Sequence, residues 1–237
     1  MRNNFKLPTA VLFDFDGVVV DSFDSHYGAW KTAFRELFKA EIPEFPHDKL
    51  AGKSPHLIAE YFCTTIGKPE KSLEFYKLKG KHLHSSQTPP KLLPGVKEIQ
   101  EYLATENIPH GIASNATRLF VKNSIAQLNL GFTTYFGLED YQNPKPHPEA
   151  YLTLATALKI ANEDYTNTWV FEDSIPGIQA AIKAGMIPIG ILTLHSEEKM
   201  LKAGSDLCFP TLLEAYEYLL KKNTFNNKQS NTSKKNA

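Results

Sequence analysis

Apolar residues follow two rhythms along the chain. Short runs rich in strand formers occur at "AVLFDF" (10–15), "PHGIAS" (109–114), "TWVFED" (168–173) and "IPIGIL" (187–192). Between and after them, apolar positions recur at helical spacing over 95–106, 117–129, 147–160, 175–184 and 211–222. Short buried strands alternating with amphipathic helices predict an α/β fold, a parallel sheet covered by helices on both faces. The stretch 22–90 breaks the alternation. It has no convincing strand, but it carries helix-spaced sets: Trp30, Phe34, Leu37 and Phe38; Leu57, Ile58, Tyr61 and Phe62; Leu73, Tyr76 and Leu83. The spacing therefore predicts a core made of 1–21 and 91–222, interrupted after the first strand by a helical insert over 22–90. The polar end, 223–237, is expected to be disordered.

Composition narrows the functional classes. Acidic and basic residues balance at 26 each, so no net field draws the chain to nucleic acid or to an anionic membrane. No apolar run is long enough to span a bilayer, and "MRNNFKLP" lacks the apolar middle of a signal peptide. These features predict a cytoplasmic protein with no membrane or nucleic-acid partner, and a monomer is expected by default. Cys63 and Cys208 read as two reduced thiols. The only arginines are Arg2, Arg35 and Arg118.

The chemistry gathers at strand ends. Asp14 and Asp16 close the first run, and Gly17 argues that the strand turns there. Ser114 and Asn115 end the second run; Glu172, Asp173 and Ser174 end or follow the third. Lys145 stands between two prolines in "NPKPHPEAY". In an open parallel sheet ligands bind beyond the carboxyl ends of the strands, so all these groups fall on one edge. Clustered carboxylates need a cation, and an all-oxygen set suits Mg²⁺ bridging to a phosphate. A hydroxyl, a backbone N–H at a helix start and a lysine suit phosphate oxygens. A carboxylate facing that phosphate can act as nucleophile.

The ordered set "DFDGVVVDS", "ASNA", "NPKPHPEAY" and "VFEDSIPGIQAAIKAGM" resembles the haloacid dehalogenase superfamily, in particular its capped phosphatase and β-phosphoglucomutase-like branch. The resemblance covers residues 10 to about 193. It implies a Rossmann-like sheet, a cap over the site, and a small phosphorylated substrate. It also implies roles: Asp14 as nucleophile and metal ligand, and Asp16 as general acid and base, binding metal through its carbonyl. Ser114 and Asn115 would hold the phosphoryl group and Lys145 would neutralise it. Asp173 would bind Mg²⁺, with Glu172 as a further or water-mediated ligand. Lys53, in "LAGKSPH", and His26 are candidates for contact with substrate. His26, Trp30 and the "KLKGKH" stretch (77–82) also have plain readings: a hinge histidine, core packing and a solvated face, with one lysine of that stretch a further candidate for contact with substrate.

Asp16 favours phosphate esters, since dehalogenases of this superfamily do not carry that aspartate. The resemblance thus leads to a Mg²⁺-dependent phosphatase working through a phospho-aspartate. A hexose-phosphate mutase is the alternative, favoured by Val18 and His26. A non-catalytic phosphometabolite binder is the third reading. A mutase must hold a second phosphate, and β-phosphoglucomutases use an arginine in the loop where this chain has Lys53. Arg35 is expected on a solvated face.

Overall fold

Strand β1 (Ala10–Phe13) is buried along its whole length, and the remaining strands are arranged around it. In the computed structural model, which describes residues 6–50, 53–86 and 89–235, seven further strands follow. They are β2 (Val20–Asp21), β3 (Lys91–Leu92), β4 (His110–Ala113), β5 (Tyr135–Phe136), β6 (Thr168–Glu172), β7 (Ile187–Ile191) and β8 (Leu207–Phe209). The main sheet has the order β5-β4-β1-β6-β7-β8, and every pairing in it is parallel. The helices are α1 (Phe23–Phe38), α2 (His47–Leu50), α3 (Pro55–Thr65), α4 (Ser72–His84), α5 (Val96–Thr105), α6 (Arg118–Gln127), α7 (Glu149–Ala157), α8 (Ile175–Lys183), α9 (Glu197–Ala203) and α10 (Leu212–Lys235).

Side-chain alternation along β1 divides the core. Val11 and Phe13 join Ile112, Trp169 and Phe171 on one face, which is packed by Ile99 and Leu103 of α5 and Leu219 of α10. Leu12 joins Ala113 and Val170 on the other, against Tyr151 and Leu154 of α7 and Ala181 of α8. Helices on both faces account for strands that read as unbroken apolar runs.

Between β2 and β3 the described chain is helical apart from its connections. These helices have their own core, in which Trp30 and Phe34 of α1, Phe62 of α3 and Phe75 of α4 are all buried. The short antiparallel pair β2–β3 ties the two ends of this insert together, Val20 opposite Leu92 and Asp21 opposite Lys91.

Two expectations need correcting. Residues 223–235 were expected to be disordered, but they continue α10. The segment contains no Gly or Pro, and adding turns to an existing helix costs far less than nucleating one. Strands β2, β3, β5 and β8 and helix α9 were not predicted. Strands of two or three residues are too short to show a period.

Candidate active site

Strand β1 lies between β4 and β6, so consecutive strands leave it in opposite directions across the sheet. A crevice opens at such a switch point. The residues just past each strand remain tied to the sheet: Asp14 N–H donates to Phe171 O at 2.9 Å, and Ser114 N–H donates to Phe136 O at 3.1 Å. Gly17 then turns the chain with φ +80°, and a Cβ there would lie 1.8 Å from Asp173 Oδ2. Only glycine lets the Asp16–Gly17 turn pass so close to Asp173.

A cavity of about 650 Å³ covers this crevice. Of the residues singled out in the sequence, Asp14, Asp16, Ser114, Asn115, Lys145 and Asp173 line it from the sheet, and His26 and Lys53 line it from the insert. Glu172 is buried behind them, completely inaccessible to solvent. Lys145 is the hub. Its Nζ donates to Asp14 Oδ1 at 2.5 Å, to Glu172 Oε1 at 2.8 Å and to the Ala113 carbonyl at 2.8 Å, which uses all three ammonium donors. Burial works against its charge, but Asp14 and Glu172 outweigh burial and raise its pKa. Tyr151 donates to Glu172 Oε1 at 2.6 Å, and Ser174 Oγ donates to Glu172 Oε2 at 2.9 Å.

Burial pushes the Asp14 carboxyl up to about 8; Lys145 opposes the rise, and Glu172 and Asp16 add to it. Asp173 is raised well above the carboxylate range by burial and then by Asp14 and Glu172. Asp14, Glu172 and Asp173 each offer an oxygen, and these oxygens lie within 4.8 Å of one another. A crowded set of hard oxygen donors, short of positive charge, fits a divalent cation of the Mg²⁺ kind. The Asp16 carboxylate is not part of that group; the resemblance assigned Asp16 a metal contact through its carbonyl only.

The Asp16 carboxylate serves another network. Ser22 Oγ and Ser114 Oγ donate to it, the latter at 3.2 Å, and His26 Nε2 lies 3.3 Å from Oδ1. Lys79 Nζ is 2.8 Å from His26 Nδ1. With lysine as donor, Nδ1 accepts and the Nε2–H faces Asp16. Burial presses the Asp16 pKa upward, but His26, then Ser22 and Lys79, bring it below the usual value. Ser22 holds the N-cap position of α1 without making a side-chain cap bond; its hydroxyl goes to Asp16 instead.

Lys79 corrects the solvated-face reading of 77–82. It is 3% exposed, with Nζ 5.2 Å from the centre of the Trp30 ring. The missed signal was its position at i+4 between Phe75 and Leu83 on the apolar stripe of α4. Burial lowers its pKa from 10.5 to about 7, partly offset by Asp16. Between those values the unfolded chain binds a proton that the folded protein does not, so stability rises as pH climbs from about 7 toward 10. Lys79→Met is expected to flatten that slope in urea melts and to stabilise the protein at pH 7 by on the order of 2 kcal/mol. Activity is expected to fall in the same variant.

Two more groups escaped the sequence reading. The Tyr141 hydroxyl contacts the Ser114 carbonyl and lies 3.2 Å from Asn115 Oδ1. Lys145 N–H donates to the same Oδ1 at 3.2 Å. With Oδ1 held, the buried Asn115 Nδ2 has no partner among the described residues and remains a donor for an incoming anion. Thr193 Oγ1 donates to the Gly17 carbonyl at 2.6 Å. No helix among the described residues is long and apolar enough to cross a membrane.

Comparison with known proteins agrees with this geometry. The sequence profile of the haloacid dehalogenase-like hydrolases matches residues 11–191. Beta-phosphoglucomutase of Bacillus subtilis (strain 168) is 29% identical over 225 residues, spanning 88% of this chain and 95% of that protein. The phosphorylated carbohydrates phosphatase of Thermotoga maritima is 28% identical over 205 residues, 83% of this chain and 91% of that one. The crystal structure of beta-phosphoglucomutase from Clostridium difficile superposes with a TM-score of 0.74 at 23% identity, covering 92% of this chain and 98% of that one.

Proposed function

The chain belongs to the haloacid dehalogenase-like hydrolases, and from that premise we propose that it is a Mg²⁺-dependent phosphatase of small phosphate monoesters. Residues 22–90 act as a cap over a core formed by 1–21 and 91–222. Asp14 is the nucleophile: its carboxylate attacks phosphorus and the ester oxygen leaves, giving a phospho-aspartate. Asp16, held as a carboxylate against burial by His26 and Lys79, passes to that oxygen a proton supplied from Lys79 through His26, and then takes a proton from the water that hydrolyses the acyl phosphate. Ser114, the free Asn115 Nδ2 and Lys145 hold the transferring oxygens. Asp14, Asp173 and the Asp16 carbonyl would hold Mg²⁺, with Glu172 behind them. The cation offsets the charge that nucleophile and phosphate share.

One observation carries hydrolysis over isomerisation. Of the cations lining the cavity, Lys145 is held by Asp14 and Glu172, and Lys79 by His26. Of these three, only the Lys53 side chain has neither a hydrogen bond nor an ion pair among the described residues. Arg35 is on the surface, paired with Glu41 at 2.8 Å. A mutase that holds two phosphates at once needs a second directional clamp, and a single lysine at an exposed loop is a weak one. The Asp16–His26–Lys79 chain would serve as a proton relay in either reaction and favours neither. The test follows both products. With β-glucose 1-phosphate, Mg²⁺ and a trace of the bisphosphate, phosphate release is expected to exceed glucose 6-phosphate formation, and chelation should abolish both. Rapid glucose 6-phosphate formation with little free phosphate would reverse the ranking.

A further inference from the structure

The insert commits its polar lining groups to a single place. Ser22 donates to Asp16, His26 faces Asp16, and Lys79 is bonded to His26. The rest of the insert's wall, among the described residues, consists of Phe23, Tyr27, Trp30, Phe45, Leu50, Pro55 and Ile58, with the exposed Lys53. Three of these side chains form one aromatic surface. Phe23 stacks on Tyr27 with ring centroids 5.5 Å apart, and Phe45 meets both edge-on at 5.9 and 6.0 Å. Leu93 and Leu194 extend the apolar lining from the core segment. Of the remaining polar lining of the core, Thr193 donates to Gly17, and the exposed Asp21 accepts from the Phe23 N–H at 3.3 Å and keeps further acceptor capacity.

A sugar carries a hydroxyl on nearly every carbon. Each hydroxyl brought against this wall loses its water and finds few partners, the Tyr27 hydroxyl, Lys53 and the Asp21 carboxylate being the exceptions. An apolar ring loses nothing of that kind and gains from burial and from offset or edge contact with the three aromatics. Building on the phosphatase reading, we propose that the alcohol half of the substrate is an apolar, ring-bearing group, and that hydroxyl-rich sugar phosphates fit poorly. The phosphate lies at the sheet end of the cavity, the ring lies on Phe23, Tyr27 and Phe45, and Lys53 meets one acceptor at the far edge. The specificity of this chain would then differ from that of a relative named for phosphorylated carbohydrates.

The test compares esters of primary alcohols, so that leaving-group chemistry is nearly constant: 2-phenylethyl phosphate against glucose 6-phosphate and sorbitol 6-phosphate, with Mg²⁺. The aromatic ester is expected to be at least tenfold better in kcat/KM. Phe45→Gln should cut the aromatic-to-sugar ratio at least fivefold, mainly through KM. Calorimetric titration of the wild-type protein with 2-phenylethylphosphonate and with the phosphonate isostere of glucose 6-phosphate ranks binding without any turnover. The aromatic phosphonate is expected to bind at least tenfold tighter. Equal or better binding and turnover of the sugar compounds would overturn the proposed substrate class and leave the phosphatase reading standing. Absence of hydrolysis of every ester would overturn the phosphatase reading, while the phosphonate ranking would still decide the chemistry of the pocket.

Discussion

Asp14→Asn is expected to abolish turnover and leave the fold standing. Asparagine keeps the volume of the side chain but cannot attack phosphorus as a carboxylate, and it offers a poorer oxygen to a cation. Loss of an activated nucleophile commonly costs about 10⁴-fold or more in kcat. Stability should hold or improve. The carboxyl removed is one that burial pushes up to about 8, so the folded protein binds a proton between about 4 and 8 that the unfolded chain does not. For Asp14, therefore, stability is lost as pH rises through that window. The variant should flatten this part of the pH–stability curve. Single-turnover phosphate release together with a thermal melt checks both halves. Wild-type turnover in the variant would remove Asp14 from the reaction.

Lys145→Ala is expected to damage both rate and stability. Lys145 satisfies Glu172, which is fully buried, and removing one partner of a buried ion pair costs about 3–5 kcal/mol. The loss of charge beside the transferring phosphoryl group should lower kcat/KM by about 10²–10³-fold. The double variant Lys145→Met with Glu172→Gln separates the two effects. It removes the unpaired buried charge and should recover most of the stability, but the rate should stay low. Recovery of rate along with stability would show that Lys145 only holds up the fold. A loss under about tenfold in kcat/KM, roughly 1.4 kcal/mol, in a folded Lys145→Ala protein would also exclude it from the chemistry.

Legibility in the sequence followed the range of the interactions. The four long strands β1, β4, β6 and β7 could be read because each is a run of buried residues bounded by turn residues. The edge to which Asp14, Ser114, Lys145 and Asp173 come could be read because strand ends in a parallel sheet share one side. The Asp16 network could not be read in full. Its members come from the turn after β1, the end of β4, the start of α1 and the middle of α4, and Lys79 is 53 residues from the histidine it meets. A lysine among other lysines looks solvated until the apolar stripe of its helix is laid against another. Tyr141 was invisible for a related reason, since nothing local marks a loop tyrosine whose hydroxyl contacts the main chain of another loop.

The origin of the partners of Asp16 has one more consequence. His26 and Lys79 belong to the helical insert, and Asp16 and Ser114 belong to the sheet. If the insert were lifted away, Asp16 would keep the bond from Ser114 and lose Ser22 together with the histidine and lysine that tune it. If Asp16 is the proton-transfer group, as proposed, its proton supply depends on the insert lying against the sheet, the same contact that covers the cavity. Under the proposed mechanism the arrangement would work as an interlock: with the insert away Asp14 would still be in place, but Asp16 would have lost the groups that supply its proton.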